Sequence, residues 1–524
     1  MVETSQYLNS ESSEKPTHNC GIGLEFSPNL TLKTQRLMQI GNAVQHRGQA
    51  GAGIAVSDGE TMHRITGNGL LDHSFTPEQT SQIDIPSYWG MVHLRYPTNG
   101  ADNDLNLQPC VAETPEGEEV FVEVNGNMPA AQELRQLLPY ELPPDVSDTF
   151  IATQVLAKIP ARDWDERVRM FAQIPQIRGS ANNMFIGLKD KMFVLRDENE
   201  IHDMVMGESR EGNIIIASET VAMQKIGARV TGTFPRGGIM RIDRNGPVML
   251  EEGLPGPGNR CIFENAYFSG PNSHFPTYDQ EGDNMNPEEW MSIMNFRLKC
   301  GETVAEECPV PNADFVVGMA DSGVPFATGL AVGMGKPYYP FMIRSHYNGR
   351  TFTQDSQMDK IPLLVKDKFL PVVDPRLWKG KNVVIGDDSL VRGNTARVVT
   401  KMIRQLGVNE IHWRLGFPVV KYPCHLAISF REEKELLANL CDGDWQKMAD
   451  HIGATSVGFI SNEGIVRAGR HIGQNIVIPR NEKDIFLANG WCGGCVTGKF
   501  PVDKQGNIFT YKKEENGQVP IYLT

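Results

Sequence analysis

The sequence has no long apolar runs, and this argues against a membrane-spanning or secreted protein. No stretch of its 524 residues approaches the ~18 uninterrupted apolar residues of a membrane-spanning helix. Residues 1–19 have no hydrophobic centre of the kind found in a secretory signal peptide. The nine cysteines are an odd number spread along a long chain, unlike the dense framework of a secreted disulfide-rich domain. We therefore expect a cytoplasmic protein with reduced thiols.

An excess of positive charge is also missing. Lys and Arg total 50 against 64 Asp and Glu, and the formal net charge is -14. Such an acidic surface repels phosphate backbones, which argues against nucleic acid or anionic membrane as the main partner. With 40% hydrophobic and 22% charged residues, the composition is that of a globular protein with more than one domain. Small phosphorylated substrates remain compatible with these numbers.

The chain divides into four predicted segments. Residues 1–19 are polar and without hydrophobic period, which predicts a leader outside the core. Residues 20–252 carry short apolar runs separated by turn residues, which predict stacked sheets covered by helices such as 31–45 and 148–158. The stretch GLPGPGNR marks a boundary. Residues 261–470 alternate buried strands with helices, the pattern of a parallel sheet, and residues 471–524 form a C-terminal segment.

The first chemical motif is KNVVIGDDSLVRGNTARVVTKMIRQLG at 381–407. Here a buried strand ends in Asp387 and Asp388, at the edge of a parallel sheet where ligands bind. The paired carboxylates suit sugar hydroxyls and a magnesium ion, and the backbone N–H groups of 392–395 suit a phosphate at a helix N-terminus. The alternative is an ordinary strand-to-helix turn in which the polar side chains are caps. The whole run resembles the phosphoribosyl diphosphate (PRPP) loop of type I phosphoribosyltransferases.

Two further segments extend this resemblance. ADFVVGMADSGVPFATGLA at 313–331 is another strand ending in a polar loop, and MIRSHYNGRTFTQDSQ at 342–357 is a basic loop that by itself would be typical of a solvated surface. The resemblance implies that both contribute to one PRPP site, with Mg²⁺ held by Ser322, Asp387 and Asp388. The implied PRPP-binding residues are Asp321, Ser322, Arg344, Arg350, Asp387, Asp388, Arg392, Gly393, Asn394 and Thr395.

The amino-terminal half resembles class II glutamine amidotransferases. The blocks that carry this likeness are CGIGLEF from Cys20, QHRGQAGAG, HLRYPTNG, NLQP and NGN. A lone cysteine is usually a small core residue, but in that family the cysteine becomes the first residue, and its own α-amino group is the base. An α-amine with a pKa of ~7.7–8 can accept a thiol proton, whereas a peptide nitrogen cannot. We therefore predict cleavage between Asn19 and Cys20, so that residues 1–19 are a propeptide.

Residue matching to that family implies roles in glutamine binding and catalysis. Arg95 would pair with the α-carboxylate of glutamine through its planar fork, and Asp148 would hold the α-ammonium. Asn125 and Gly126 would supply the amide and the backbone N–H of an oxyanion hole. Cys20 would be the nucleophile.

A third motif is the C-x-x-C pair Cys492 and Cys495. Such a pair alone indicates a metal site, a redox pair or chance. Cys261 and Cys424 would complete a set of four, and spacing alone does not distinguish tetrahedral zinc from an iron–sulfur cluster.

Taken in order from residue 20 to about 500, these blocks resemble the glutamine phosphoribosylpyrophosphate amidotransferases, in their iron–sulfur subgroup with a propeptide. The resemblance implies an N-terminal nucleophile (Ntn) αββα sandwich followed by a type I phosphoribosyltransferase domain. It implies synthesis of 5-phosphoribosylamine from glutamine and PRPP, a [4Fe-4S] cluster on Cys261, Cys424, Cys492 and Cys495, purine nucleotide inhibitors and a homotetramer.

Two alternatives stay open at this stage. The chain departs from the family pattern at Val124, where a histidine is usual, and in RDENEIHDMVMG at 196–207, which replaces RDxxGIRPL. A divergent paralogue could therefore deliver nitrogen to another phosphorylated sugar. A catalytically silent iron–sulfur regulatory protein is the second alternative, and it would keep an uncut leader.

Overall fold

The computed structural model describes residues 20–96, 104–279, 284–344, 369–372, 374–427, 433–470, 475–502, 507, 509–514 and 517–522. They form two compact units. The sandwich unit contains the described residues up to Ile293, together with 424–427 and those after 474. The parallel-sheet unit contains the described residues of 294–423 and 433–470. No helix in these described ranges is both long and apolar enough to cross a membrane.

The sandwich unit begins with alternating strands and helices. Its strands up to residue 292 are β1 Gly21–Phe26, β2 Gly51–Ser57, β3 Met62–Asn68, β4 Trp89–Arg95, β5 Cys110–Glu113, β6 Glu119–Asn127, β7 Ala181–Gly187, β8 Lys191–Arg196, β9 Val205–Glu208, β10 Ile214–Ala217, β11 Arg229–Thr233, β12 Ile239–Asp243, β13 Gly246–Glu251, β14 Arg260–Cys261, β15 His274–Phe275 and β16 Met291–Ser292. Its helices are α1 Thr34–Ala43, α2 Pro77–Ile83, α3 Ala131–Arg135, α4 Asp148–Lys158, α5 Trp164–Ala172, α6 Pro175–Arg178 and α7 Thr220–Ile226.

Two antiparallel sheets make the sandwich. One has the strand order β11-β9-β10-β1-β4-β2-β3, and the other has the order β13-β12-β8-β7-β6-β5. Side chains on β6 alternate, as the two-residue period of a strand requires. Phe121 packs into the core between the sheets, whereas Val120 and Val122 pack on the opposite face with Ile151 of α4. Helices thus cover the outer face, and the predicted helix at 148–158 is found with those bounds.

The parallel-sheet unit alternates helices and strands as expected. Its elements are α8 Ile293–Glu307, β17 Phe315–Gly318, α9 Gly323–Met334, β18 Met342–Arg344, β19 Phe369–Pro371, α10 Pro375–Trp378, β20 Asn382–Asp387, α11 Asn394–Gln405, β21 Glu410–Leu415, α12 Leu437–Leu440, α13 Trp445–Ile452, β22 Ser456–Phe459 and α14 Asn462–Ala468. Strands β17, β20, β21 and β22 pair in this order, all parallel. The carboxyl ends of β17 and β20 therefore lie at the same edge of the sheet.

The last described segment returns to the sandwich unit. It contains β23 Trp491–Cys492, α15 Gly494–Thr497, and a hairpin of β24 Phe509–Glu514 and β25 Gly517–Tyr522. Strand β23 pairs in parallel with β14, and Cys492 stands opposite Cys261. A π-helix at Glu264–Phe268 follows β14, and π-helical turns are frequent at functional sites.

Candidate functional site

Cys20 lies directly before β1 and is buried, with 6% of its surface exposed. Burial raises the pKa of its thiol to about 11, against the lowering effects of the Tyr96 backbone and Arg95. A thiol with that pKa is protonated at neutral pH, so a nucleophilic role requires a nearby base. The α-amine of a chain that begins at Cys20 would be such a base, and this role stays a prediction.

The predicted glutamine-binding residues surround this cysteine. Arg95, at the end of β4, and Asp148, at the start of α4, are both buried, and both act electrostatically on the Cys20 thiol. Asp148 accepts hydrogen bonds from the backbone N–H groups of Met128 at 3.0 Å and Thr149 at 2.8 Å. Burial raises the pKa of Asp148. An opposite pair of charges at this depth suits an amino acid ligand with both an α-carboxylate and an α-ammonium.

Asn125 and Gly126 lie near the end of β6. Asn125 is fully buried, and neither its Oδ1 nor its Nδ2 has a hydrogen-bond partner among the residues that the structure describes. Buried polar groups are normally paired, so an open amide in this place fits a donor that waits for an oxyanion. Position 126 requires glycine because a Cβ there would lie 1.7 Å from the Ala181 carbonyl oxygen.

Two residues without a predicted role hold β6 in place. Gln108 accepts a hydrogen bond from the Val124 N–H at 2.6 Å and donates one to Thr149 Oγ1 at 3.1 Å. His93 is buried, its pKa is lowered to about 3 by that burial, and its Nε2 lies 3.3 Å from the Val124 carbonyl oxygen. A neutral imidazole, that of His93, therefore lies beside Val124 of β6. Position 124 is the one at which the chain departs from the histidine of the family pattern.

Sequence reasoning also missed the role of Arg47, which lies in the QHRGQ block. Its Nε donates to the Cys20 carbonyl at 3.1 Å, and its two terminal nitrogens donate to Glu219 at 2.7 Å and to Glu264 at 2.5 Å. All three side chains of this network are buried. Arg47 thus fixes the backbone of the predicted nucleophile. The block quoted for the resemblance contained this arginine, but nothing in the sequence paired it with two distant glutamates.

The predicted PRPP residues that the structure describes gather at one edge of the parallel sheet. Asp387 ends β20, and the Asp388 N–H donates to its Oδ1 at 2.9 Å. Gly323 begins α9 so close to this strand that a Cβ on it would lie 2.8 Å from Asp387 Oδ1. The loop with Asp321 and Ser322 directly precedes Gly323 and therefore adjoins the paired acids.

Asp388 and the helix that follows complete this edge. Asp388 is buried, and its Oδ2 has no hydrogen-bond partner in the described part of the chain. Gly393 caps α11 with φ +82°, and Asn394 and Thr395 form its first turn. Arg392 forms an ion pair with Glu435 at 2.6 Å. Arg350 and the side chain of Arg344 lie outside the described residues, so their predicted roles stay predictions.

Three chain segments bring the four predicted cysteine ligands together. Burial raises the pKa of the Cys261 thiol well above its ordinary value, and the three other thiols act on it in the same direction. The pKa of the Cys495 thiol is likewise raised by burial and by the thiols of Cys424 and Cys492. Within the described ranges, no group of three or more His, Cys, Asp or Glu side chains is arranged as a site for a metal ion. Among the residues that the structure describes, none of the four cysteines forms a disulfide.

Comparisons with known proteins give one consistent result. The family model of the phosphoribosyl transferase domain matches residues 309–414. Amidophosphoribosyltransferase of Rattus norvegicus is 32% identical over 496 residues, covering 88% of this chain and 92% of that protein. The enzyme of that name from Methanocaldococcus jannaschii is 32% identical over 480 residues, covering 88% and 93%.

Solved structures agree with the sequence relatives. Glutamine phosphoribosylpyrophosphate amidotransferase from B. subtilis, complexed with ADP and GMP, has a TM-score of 0.77 at 27% identity, and the match covers 93% of this chain and 98% of that one. A structure described as the allosteric regulatory enzyme of purine biosynthesis gives the same TM-score and identity over 92% and 96%. The predicted fold class, a sandwich followed by a phosphoribosyltransferase sheet, is confirmed.

Proposed function

This chain belongs to the amidophosphoribosyltransferase family, and from that premise we propose which of its residues perform each half of the reaction. The enzyme is a pentosyltransferase with glutamine amidotransferase activity. It converts glutamine, PRPP and water into 5-phosphoribosylamine, glutamate and diphosphate, the first committed step of de novo purine biosynthesis. The comparisons give no support to a paralogue with another acceptor or to a silent regulator.

Glutamine hydrolysis takes place in the sandwich unit, and residues 20–252 are its domain. Arg95 and Asp148 hold the α-carboxylate and α-ammonium of glutamine. After the leader is removed at Asn19–Cys20, the α-amine of Cys20 accepts the thiol proton, and the sulfur attacks the side-chain amide. Asn125 Nδ2 and the Gly126 N–H stabilise the tetrahedral oxyanion. Ammonia leaves, and water cleaves the thioester to glutamate.

Ribosylamine formation takes place in the parallel-sheet unit, and residues 261–470 are its domain. The N–H groups at the start of α11, from 392 to 395, hold the 5-phosphate, while Asp387 and Asp388 orient the ribose hydroxyls. Arg344 and Arg350 hold the diphosphate. The oxygen donors of Ser322, Asp387 and Asp388 suit Mg²⁺, which would neutralise charge on the leaving diphosphate when bound.

The four cysteines are the proposed ligands of a [4Fe-4S] cluster. The support is the soft donor chemistry of the four thiols, the burial of Cys261, Cys492 and Cys495, and the electrostatic influence that these three and Cys424 exert on one another. The cluster would fix residues 471–524 to the sandwich unit and take no part in catalysis. Iron and sulfide analysis of anaerobically purified protein distinguishes it from zinc.

Further properties follow from the family. We propose a homotetramer in the cytoplasm that purine nucleotides inhibit; a relative's solved structure with ADP and GMP supports the last point. Light scattering measures the assembly, and inhibition assays with ADP and GMP measure the regulation. Intact mass and amino-terminal sequencing test removal of residues 1–19.

One observation supports the assignment of glutamine hydrolysis to the sandwich unit. The buried Cys20 thiol interacts electrostatically with both Arg95 and Asp148. We expect Cys20→Ala to abolish turnover with glutamine and to preserve turnover with ammonium salts, because only the sandwich unit needs the thiol. Asp387→Ala should remove both activities. Glutamine-dependent product from Cys20→Ala, measured as diphosphate release with PRPP, would contradict the assignment.

A further inference from the structure

Arg47 links the backbone of Cys20 to two buried carboxylates, and one of these is held by several donors. Besides Arg47, the Glu219 side chain accepts hydrogen bonds from two further groups. They are the Gly270 N–H at 2.9 Å and Ser273 Oγ at 2.6 Å. The position of this carboxylate therefore does not depend on any single further donor.

Glu264, the second carboxylate, depends on one histidine. Among the residues that the structure describes, its side chain forms hydrogen bonds only with Arg47, at 2.5 Å, and with His202, whose Nδ1 lies 2.7 Å from Oε2. His202 and Glu264 are 1% and 2% exposed. Burial raises the pKa of the Glu264 carboxyl, but Arg47 and His202 outweigh burial and lower it. Since an ionised carboxylate only accepts hydrogen bonds, His202 Nδ1 is the donor.

The backbone of His202 is fixed on the sheet that carries Asn125. The His202 carbonyl accepts hydrogen bonds from Arg196 Nη2 of β8 at 2.7 Å and from Asn183 Nδ2 of β7 at 3.4 Å. Asn183 stands opposite Asn125 in the register of β6 and β7. The imidazole of His202 therefore reaches Glu264 from an anchored backbone.

We propose that His202 is a positioning residue for glutamine hydrolysis. Its Nδ1–H aligns Glu264 with Arg47, and Arg47 in turn holds the Cys20 backbone. Because the pair is buried, loss of the donor leaves a carboxylate oxygen without a partner, and such a group rearranges to find one. A displacement of about 1 Å at a reacting group is enough to slow a reaction roughly 100-fold. The inference rests on the proposed function, in which the Cys20 sulfur attacks glutamine.

Two substitutions at position 202 separate this role from packing. His202→Phe keeps a ring but has no donor. His202→Asn keeps a donor, because its Nδ2 is bonded to Cγ as Nδ1 of the imidazole is. For His202→Phe we expect kcat of glutamate release to fall about 10- to 100-fold. KM for glutamine should be unchanged because Arg95 and Asp148 remain, and turnover with ammonium salts should also be unchanged. His202→Asn should return kcat close to the wild-type value.

His46→Phe is the matched control, since it removes a histidine from the other carboxylate partner of Arg47. His46 Nε2 lies 2.9 Å from Glu219 Oε1. Because Glu219 keeps its bonds from Gly270 and Ser273, this variant should release glutamate at the wild-type rate.

His202→Leu is a second variant without a donor, for use if His202→Phe does not fold. The proposal is overturned if either folded variant keeps the wild-type kcat, if His202→Asn is as slow as they are, or if His46→Phe is equally slow. Failure of the proposed function gives a different result. Wild-type protein would then release no glutamate, or Cys20→Ala would still use glutamine, and both assignments would be overturned together.

Discussion

Asn125 is a side chain whose burial destabilises the fold and whose unpaired amide suits the proposed catalytic role. A buried amide that lacks a partner costs about 1–3 kcal/mol, and Asn125 is fully buried with neither amide atom hydrogen-bonded within the described residues. Gln108 fixes the strand through the preceding Val124 N–H. In the proposed mechanism, the amide is thus in position before the oxyanion forms, which is the arrangement that favours a transition state over a ground state.

The first prediction concerns this amide. Asn125→Ala should lower kcat for glutamine hydrolysis by roughly 10²–10³-fold, the usual effect of removing one oxyanion donor. KM for glutamine should change little, because Arg95 and Asp148 remain. The measurement is glutamate release, with ammonium-dependent turnover as an internal reference that should not change.

A matched control separates this effect from general damage. Asn245→Ala removes the same group from an exposed turn and should leave glutamate release unchanged. If Asn125→Ala hydrolysed glutamine at the wild-type rate, Asn125 would not be an oxyanion donor.

At this scale, the sequence predicted residues that sit in short local blocks and missed those that need distant partners. Cys20, Arg95 and Asp148 were named from such blocks, and the structure brings them together. Arg47 was overlooked because its carboxylate partners lie 172 and 217 residues away. The burial of this arginine is explained only by its two glutamate partners, and no periodic pattern in the sequence predicts that pairing.

Helix α11 shows what a single element contributes to the proposed phosphate site. It presents Val399 and Ile403 to the core, and its two ends are each adjoined by a glycine in the left-handed region, Gly393 at φ +82° and Gly407 at φ +83°. In the sequence, Val399, Met402, Ile403 and Leu406 stand at helical spacing and Gly407 is typical of a helix C-terminus, so this helix and its end can be predicted from the sequence. The left-handed φ of Gly393 was not predicted, because the loop before the helix has no periodic pattern.

The second prediction uses Gly393. Gly393→Ala adds a Cβ that would lie 3.0 Å from Leu437 Cδ2 and strains a left-handed residue, at a cost of about 1–2 kcal/mol. Movement of the helix start would displace the N–H groups proposed for the 5-phosphate. KM for PRPP should rise roughly tenfold, equivalent to about 1.4 kcal/mol, with both ammonium and glutamine as nitrogen source.

The other end of the same helix provides the control. Gly407→Ala imposes the same backbone strain, and its Cβ would only approach Lys379 Cγ at 3.4 Å. We expect a similar fall in the midpoint of unfolding and an unchanged KM for PRPP. Equal KM values for PRPP in the two variants would mean that α11 does not hold the phosphate.

At the scale of the whole molecule, one short segment from the middle of the parallel-sheet sequence belongs to the sandwich unit. Residues 424–427 belong to the sandwich unit although the described residues on both sides of them belong to the parallel-sheet unit. Within the sandwich unit, Asn127 at the end of β6 donates to the His425 carbonyl at 2.6 Å, and His425 Nε2 lies 2.7 Å from the Val502 carbonyl oxygen. The segment that carries Cys424 therefore joins the strand of Asn125 to the C-terminal segment.

The third prediction tests whether the four-cysteine site maintains this arrangement. Cys424→Ser should reduce iron from about four atoms per chain, as expected for a [4Fe-4S] cluster, to less than one, and should lower the midpoint of thermal unfolding, because ligation free energy adds to folding free energy. Glutamine-dependent turnover should fall more than ammonium-dependent turnover, since His425 contacts Asn127 beside Asn125. Cys441→Ser is the matched control. Cys441 lies at the C-terminal end of α12, in the other unit, and is not one of the four proposed ligands, so the iron content should stay at the wild-type value. Wild-type protein that contains zinc and no iron, or Cys424→Ser protein that retains its iron, would contradict the proposed cluster.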